Sequence, residues 1–283
     1  MHRSAAFFDL DKTVIAKSSA LAFGKPFFQG GLINRRAVLK GAYAQFVFSV
    51  AGADEDQMER MRDQLTAMCT GWDAAVVQEI VRETLHVIVD PLVYAEAADL
   101  IQEHRDAGRE IVIVSSSGAE MVEPIGEMLG ADRVIATRMV VQDGRYTGEV
   151  AYYAYGENKA AAVREVAAEM GYDLADCHAY SDSITDLPML SAVGHPTAVN
   201  PDRGLRREAA RRGWPVLTFV RPVPLRTRFT PPRGQVVTGA AVGVGAAVAG
   251  LAWYARRRTL RGPAVGRTDA SDVLVPRRGR REA

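Results

Sequence analysis

Two aspartates one residue apart, Asp9 and Asp11, stand in the run Asp9-Leu10-Asp11-Lys12-Thr13, directly after the apolar residues Ala5, Ala6, Phe7 and Phe8. A carboxylate pair at a strand end can divide labour: one attacks an electrophile such as phosphorus while the other moves a proton. Such a pair is also a common cap or turn. A second apolar run, Ile111-Val112-Ile113-Val114, ends in Ser115-Ser116-Ser117-Gly118. A hydroxyl followed by small residues lets backbone N–H groups approach an anionic phosphoryl group. Lys159 follows Gly156-Glu157-Asn158 at the start of a helical pattern, where a cation can offset phosphate charge. Asp182 and Asp186 follow another predicted strand in Ala179-Tyr180-Ser181-Asp182-Ser183-Ile184-Thr185-Asp186. Carboxylates there suit Mg2+, a hard cation that takes oxygen ligands. Each group alone also reads as a turn, a surface lysine or a cap. Their order is what points to chemistry: acidic pair, hydroxyl, lysine, acidic pair, three of the four directly after an apolar strand.

The elements that must position these groups follow from periodicity. Residues 4–10 read as a short buried strand. Residues 14–89 read as helical throughout, with apolar residues at helical spacing over 35–50, 54–70 and 73–89. Asp54 and Asp73 are predicted N-caps, Gly52 and Gly71 are breakers, and Asp90-Pro91 closes the block. Helices are then predicted over 93–107, 119–129 and 158–170, and strands over 110–114, near Val134 and over 176–180. A hairpin with Asp143-Gly144 at its turn joins Val140 and Val141 to residues 146–150. Strands alternating with helices imply a parallel sheet covered on both faces. The expected fold class is α/β, with a helical insertion after the first strand.

The ordered set of motifs resembles the haloacid dehalogenase (HAD) superfamily, in particular its phosphoserine-phosphatase-like branch. The four motifs of that family match Asp9-x-Asp11-x-Thr13, Ser115, Lys159 and Asp182-x-x-x-Asp186, and the likeness covers about residues 4–220. Met121-Val122-Glu123-Pro124-Ile125, Asp143-Gly144-Arg145 and Asp186-Leu187-Pro188-Met189-Leu190 further resemble a bacterial subgroup, some of whose members are described as inhibitors of morphological differentiation. The resemblance implies a Rossmann-like parallel-sheet core of residues 1–13 and 91–220 and an all-helical cap of residues 14–90. It also implies a phosphatase. Asp9 would be the nucleophile that forms an aspartyl-phosphate, and Asp11 the general acid and base. Mg2+ would be held by Asp9, the backbone carbonyl of Asp11, and Asp182. Ser115 and Lys159 would hold the phosphoryl oxygens, with Asp186 supporting Lys159 or the ligands of the metal, and Thr13 steadying the first loop. Phosphotransfer to a non-water acceptor, and a regulatory binding protein that keeps the fold, are the alternatives.

Two departures from the family pattern bear on substrate. The usual Gly-Asp-x-x-Asn-Asp is Ser181-Asp182-Ser183-Ile184-Thr185-Asp186 here, which keeps both carboxylates. Phosphoserine phosphatases carry an amine-reading glutamate soon after the first motif, where this chain has Lys17-Ser18-Ser19. A cation there argues against phosphoserine. Phe27, Phe28, Phe46, Phe48 and Trp72 can line an apolar pocket in the cap or simply pack its core. Tyr152, Tyr153 and Tyr155 read as packing residues, and His86, His104, His178 and His195 show no ligand spacing.

Composition sets the outer bounds. The chain has 283 residues, 48% hydrophobic and 24% charged, with a net charge of +1, so overall charge names no partner. Cys69 and Cys177 are its two cysteines and belong to no metal or dithiol spacing, which excludes zinc-cluster and C-x-x-C chemistry. The short apolar start, ended at once by Asp9, is not a signal-peptide core, so the catalytic body is expected in the cytoplasm. Residues 221–235 form a Pro/Arg-rich linker, and the uncharged run 236–255 matches the ~20 residues of a single transmembrane helix. Trp253, Tyr254 and Arg256-Arg257-Arg258 close that run, as interfacial anchors do. A flexible Ala/Gly linker is its alternative reading. Residues 256–283 form a basic tail expected to be disordered. The expected partners are thus a small-molecule or lipid phosphate ester and the membrane, and no nucleic acid.

Overall fold

The computed structural model describes residues 3–33 and 67–222 of the chain. In chain order the elements are β1 (Ala5–Asp9), α1 (Ser19–Ala22), α2 (Gly24–Gln29), α3 (Ala74–Ile88), α4 (Ala95–Asp106), β2 (Glu110–Gly118) and α5 (Ala119–Leu129). They continue with β3 (Arg133–Gln142), β4 (Arg145–Tyr152), α6 (Glu157–Met170), β5 (His178–Ser181), α7 (Leu187–Ser191), β6 (His195–Val199), α8 (Arg203–Arg212) and β7 (Val216–Leu217).

Every residue of β1 is buried, as befits a central strand covered on both faces. Its side chains alternate across the sheet. Ala6 and Phe8 join a core with Ile101 of α4 and Val122 and Ile125 of α5, while Ala5 and Phe7 join another with Val163 of α6 and Leu205 of α8. The strand order is β4-β3-β2-β1-β5-β6-β7. Phe7 pairs with Val112 on one side and Ala179 on the other, both in parallel. The chain therefore winds away from β1 in two directions, and the carboxyl end of such a switch strand is where α/β sheets bind ligands.

Several local expectations change. β2 does not stop at Val114. It runs through the serines to Gly118 with a bulge between Ser115 and Gly118, because Thr137 Oγ1 donates to Ser116 O at 2.7 Å and keeps that segment on the sheet. The strand near Val134 and the first arm of the hairpin are one strand, β3, which pairs in parallel with β2 and then antiparallel with β4. Asp143 and Gly144, with φ of 51° and 75°, make the tight turn that the sequence predicts. β6, α8 and β7 had no strong signal: Pro196 interrupts the first and α8 is rich in arginine.

Residues 14–18 are not helical. Ala16 N donates to Leu92 O at 2.8 Å and Tyr94 N to Val14 O at 2.9 Å, so the chain leaves the core and returns to it side by side. α3 is capped by Asp73, whose carboxylate accepts from Ala75 N and Val76 N. The insertion is also tied to the β3–β4 hairpin: Gly71 N donates to Tyr146 O, Tyr146 N to Trp72 O, and Ala74 N to Gly144 O, at 2.8, 3.0 and 2.9 Å. The predicted helices over 35–50 and most of 54–70 lie outside the described residues, as do the linker after residue 222, the run 236–255 and the tail. Among the described residues no helix is long and apolar enough to cross a membrane.

Candidate active site

Asp9 is the last residue of β1, and the turn after it is tight. Val14 N and Ile15 N both donate to Leu10 O at 3.0 Å, and Lys12 takes a left-handed φ of 63°. That turn carries Thr13 back beneath the strand, where its Oγ1 donates to Asp9 Oδ2 at 3.1 Å. Lys159 reaches the same carboxylate from the first turn of α6. Its Nζ donates to Asp9 Oδ1 and to Asp186 Oδ2, each at 2.8 Å. Ser181, at the end of β5, donates to the same Asp186 oxygen at 2.7 Å. All of these side chains are buried.

Asp11 stands beside this cluster with different partners. Ser19 N, in α1, donates to Oδ1 at 2.8 Å, and Ser117 Oγ, near the end of β2, donates to Oδ2 at 2.9 Å. Ser115 is buried, and its Oγ accepts from Ser117 N at 3.2 Å. Asp182 follows β5, and its loop is held by Asp202. Asp202 N donates to Asp182 O at 2.8 Å, and the Asp202 carboxylate accepts from Ile184 N and Leu205 N.

The charges at this sheet edge do not balance. Burial pushes the Asp9 carboxyl up to about 8, opposed by Lys159 and reinforced by Asp186 and Asp182. Burial also pushes Asp182 up to about 7, opposed by Lys12 and reinforced by Asp186 and Asp202. Burial works against the Lys159 ammonium, but Asp186 and Asp9 outweigh it, and its pKa is raised. The buried Lys159 ammonium is thus shared between Asp9 and Asp186, while Asp182 is opposed mainly by Lys12.

The structure brings Asp9, Thr13, Lys159 and Asp186 into direct hydrogen bonds and sets Asp11, Ser115 and Asp182 around them. Sequence reasoning missed Ser19, Ser117 and Ser181 as partners of the acidic residues. Three consecutive serines closing a strand were the available signal for Ser117. Phe27 and Trp72 pack with ring centroids 5.9 Å apart, whereas Phe28 is exposed and Phe46 and Phe48 lie outside the described residues. Tyr153 and Tyr155 stack at 5.2 Å. The rings of His104, His178 and His195 gather near the starts of β5 and β6, at the other end of the sheet from Asp9.

A family described as haloacid dehalogenase-like hydrolase matches residues 6–191. The chain is 67% identical to an "Inhibition of morphological differentiation protein" of Streptomyces azureus, over 90% of this chain and 94% of that one. It is 65% identical to a "Probable phosphatase" of Mycobacterium tuberculosis (strain H37Rv), over 90% of each. A solved phosphoserine phosphatase carrying a phospho-aspartyl intermediate analogue shares the fold with a TM-score of 0.57 at 18% identity, over 80% of this chain and 97% of that one.

Proposed function

The chain belongs to the haloacid dehalogenase-like hydrolase family, and we propose that it is a Mg2+-dependent phosphomonoester hydrolase that works through an aspartyl-phosphate on Asp9. The observation that carries this reading is the setting of Asp9. It is a buried carboxylate at the carboxyl end of the central strand, with one oxygen held by Lys159 and the other by Thr13.

In the first half of the reaction an Asp9 oxygen attacks phosphorus, the ester P–O bond breaks, and Asp11 gives its proton to the leaving oxygen. In the second, water attacks phosphorus, Asp11 takes its proton, and the bond to Asp9 breaks. Lys159 and Ser115 hold the non-reacting phosphoryl oxygens, and Asp186, steadied by Ser181, keeps Lys159 charged and aimed.

The chemistry of the residues present suits Mg2+. The Asp9 and Asp182 carboxylates and the Asp11 main-chain carbonyl would supply an all-oxygen donor set. The unbalanced carboxylates around Asp9 and Asp182 favour a cation, although among the described residues no ready-made cluster of three His, Cys, Asp or Glu ligands stands there. When bound there, the ion would neutralise phosphoryl charge and align the ester.

The substrate is a small phosphate ester. Lys17, exposed, and Ser18 stand where an amine reader is expected, so phosphoserine should be a poor substrate. The uncharged run 236–255 extends the proposal to membrane-associated esters, on sequence alone. The test is phosphate release from a panel of phosphomonoesters, phosphoserine included, with and without Mg2+, for the wild type and Asp9→Asn. Turnover that requires Mg2+ and vanishes in Asp9→Asn is expected. Full activity in Asp9→Asn would refute the reading.

A further inference from the structure

The two oxygens of Asp11 are not equivalent. Oδ1 accepts from the backbone N–H of Ser19 at 2.8 Å, and Oδ2 from the hydroxyl of Ser117 at 2.9 Å. A peptide N–H can only donate, so Oδ1 stays an acceptor; a proton there would share the oxygen with that fixed donor, which favours carrying it on Oδ2. A hydroxyl both donates and accepts. Ser117 can donate to Oδ2 when Asp11 is a carboxylate and turn away or accept when Oδ2 is protonated. From these contacts we propose that Ser117 is a positioning residue for acid–base transfer: with Ser19 N–H it fixes the Asp11 carboxylate so that the transferred proton travels on Oδ2. The inference rests on the reading of Asp11 as the acid and base of a phosphatase.

The position of Ser117 supports this role. It lies within the bulge of β2, and its own N–H donates to Ser115 Oγ at 3.2 Å, so the hydroxyl that faces Asp11 sits on a segment fixed by the residue proposed to hold the phosphoryl group. Thr137 clamps the carbonyl of the preceding residue at 2.7 Å. Asp11 has only two oxygens, and the described contacts occupy one with a fixed donor and the other with a reversible one. In the transfer, Oδ2–H breaks as the leaving oxygen gains the proton. In the second half, water loses a proton to Oδ2 as its oxygen bonds to phosphorus.

A residue that aims a general acid matters most where the leaving group most needs a proton. The test therefore compares kcat/KM, which reports on steps through the first phosphoryl transfer, for two esters with Mg2+ present. Glycerol 2-phosphate expels a strongly basic alkoxide, whereas p-nitrophenyl phosphate expels a weakly basic phenolate. Ser117→Ala should lower kcat/KM for glycerol 2-phosphate by about 100-fold, the low end of what a positioned acid supplies, and for p-nitrophenyl phosphate by less than about 10-fold. Ser117→Thr and Ser117→Val have the same shape and differ in the hydroxyl. The threonine chain should recover most of the alkyl ester rate and the valine chain should not. Equal losses on both esters, or threonine and valine chains that behave alike, would overturn the positioning role. Asp9→Asn, run on the same esters, separates that failure from failure of the phosphatase reading, since only the latter leaves the Asp9→Asn chain active.

Discussion

His104 gives a prediction that does not depend on catalysis. It lies on α4 with 2% of its surface exposed. Arg109 Nε sits 2.6 Å from its Nδ1, and Tyr180 Oη is 2.7 Å from its Nε2. An arginine N–H only donates, so Nδ1 must accept, and a neutral ring then carries its proton on Nε2 toward the tyrosine. A second proton would have to enter against the Arg109 donor, in a buried place shared with the His178 ring at 4.7 Å and with Phe8. Burial, His178 and Arg109 together lower the pKa to about 3. An unfolded histidine titrates near ~6.5. Between these values the unfolded chain binds a proton that the native chain refuses. The stabilisation is therefore complete above the unfolded value and is lost as pH falls.

Each pH unit in that window is worth about 1.4 kcal/mol, so His104 alone should cost about 2 kcal/mol between pH 7 and pH 5. Urea unfolding at pH 7, 6 and 5, on the wild type and His104→Gln, measures it. Glutamine can still accept from Arg109 and meet Tyr180 but does not titrate. His178, lowered to about 4 by burial, then His195 and Arg109, is present in both chains, as are the carboxylates, so their contributions largely cancel in the comparison. The wild type should lose about 2 kcal/mol more than the variant on going to pH 5. Parallel stability profiles for the two chains would refute the assignment of a neutral, proton-refusing His104.

Two further substitutions probe the site itself. Lys159→Met leaves the Asp9 and Asp186 carboxylates buried without their shared cation and should cost about 3–5 kcal/mol in urea unfolding; adding Asp186→Asn on that background should cost less than it does in the wild type. Asp202→Ala removes the cap of α8 and the clasp on the Asp182 loop, so it should cost about 1–2 kcal/mol and raise the Mg2+ concentration for half-maximal phosphate release.

The central strand and the order of the motifs were legible because burial on both faces and chemistry at strand ends leave compact local signatures. The apolar run before Asp9 and the one before Ser115 could hardly be anything but buried strands. Asp73 as an N-cap and Asp143-Gly144 as a turn were legible for the same reason, since each reflects a backbone need met by one or two residues. What failed depends on distant partners. Ser116 stays on the sheet because Thr137 holds it from another strand, and residues 14–18 extend because Leu92 and Tyr94 return beside them. The hydroxyl partners of the acidic residues follow the same rule. Ser181 serves Asp186 across a short loop, while Ser117 serves Asp11 across 106 positions, and no local pattern contains that pairing.

The placement of these partners divides the site into two halves with different mechanical support. Asp9, Lys159, Asp186 and Ser181 stand on or directly beside β1, α6 and β5, all core elements, and bond to one another. Asp11 takes one donor from the core, Ser117, and the other from Ser19, the first residue of α1 in the insertion. A shift of α1 would therefore change the hold on the Asp11 carboxylate and leave the hydrogen bonds of Asp9 intact. The described part of the insertion is tied to the hairpin at Gly71, Trp72 and Ala74 and to the neck at Val14 and Ala16. On the proposed reaction, sensitivity to the leaving group would therefore lie with Asp11, whose hold depends on α1, while Asp9 and Lys159 would be held by core elements alone.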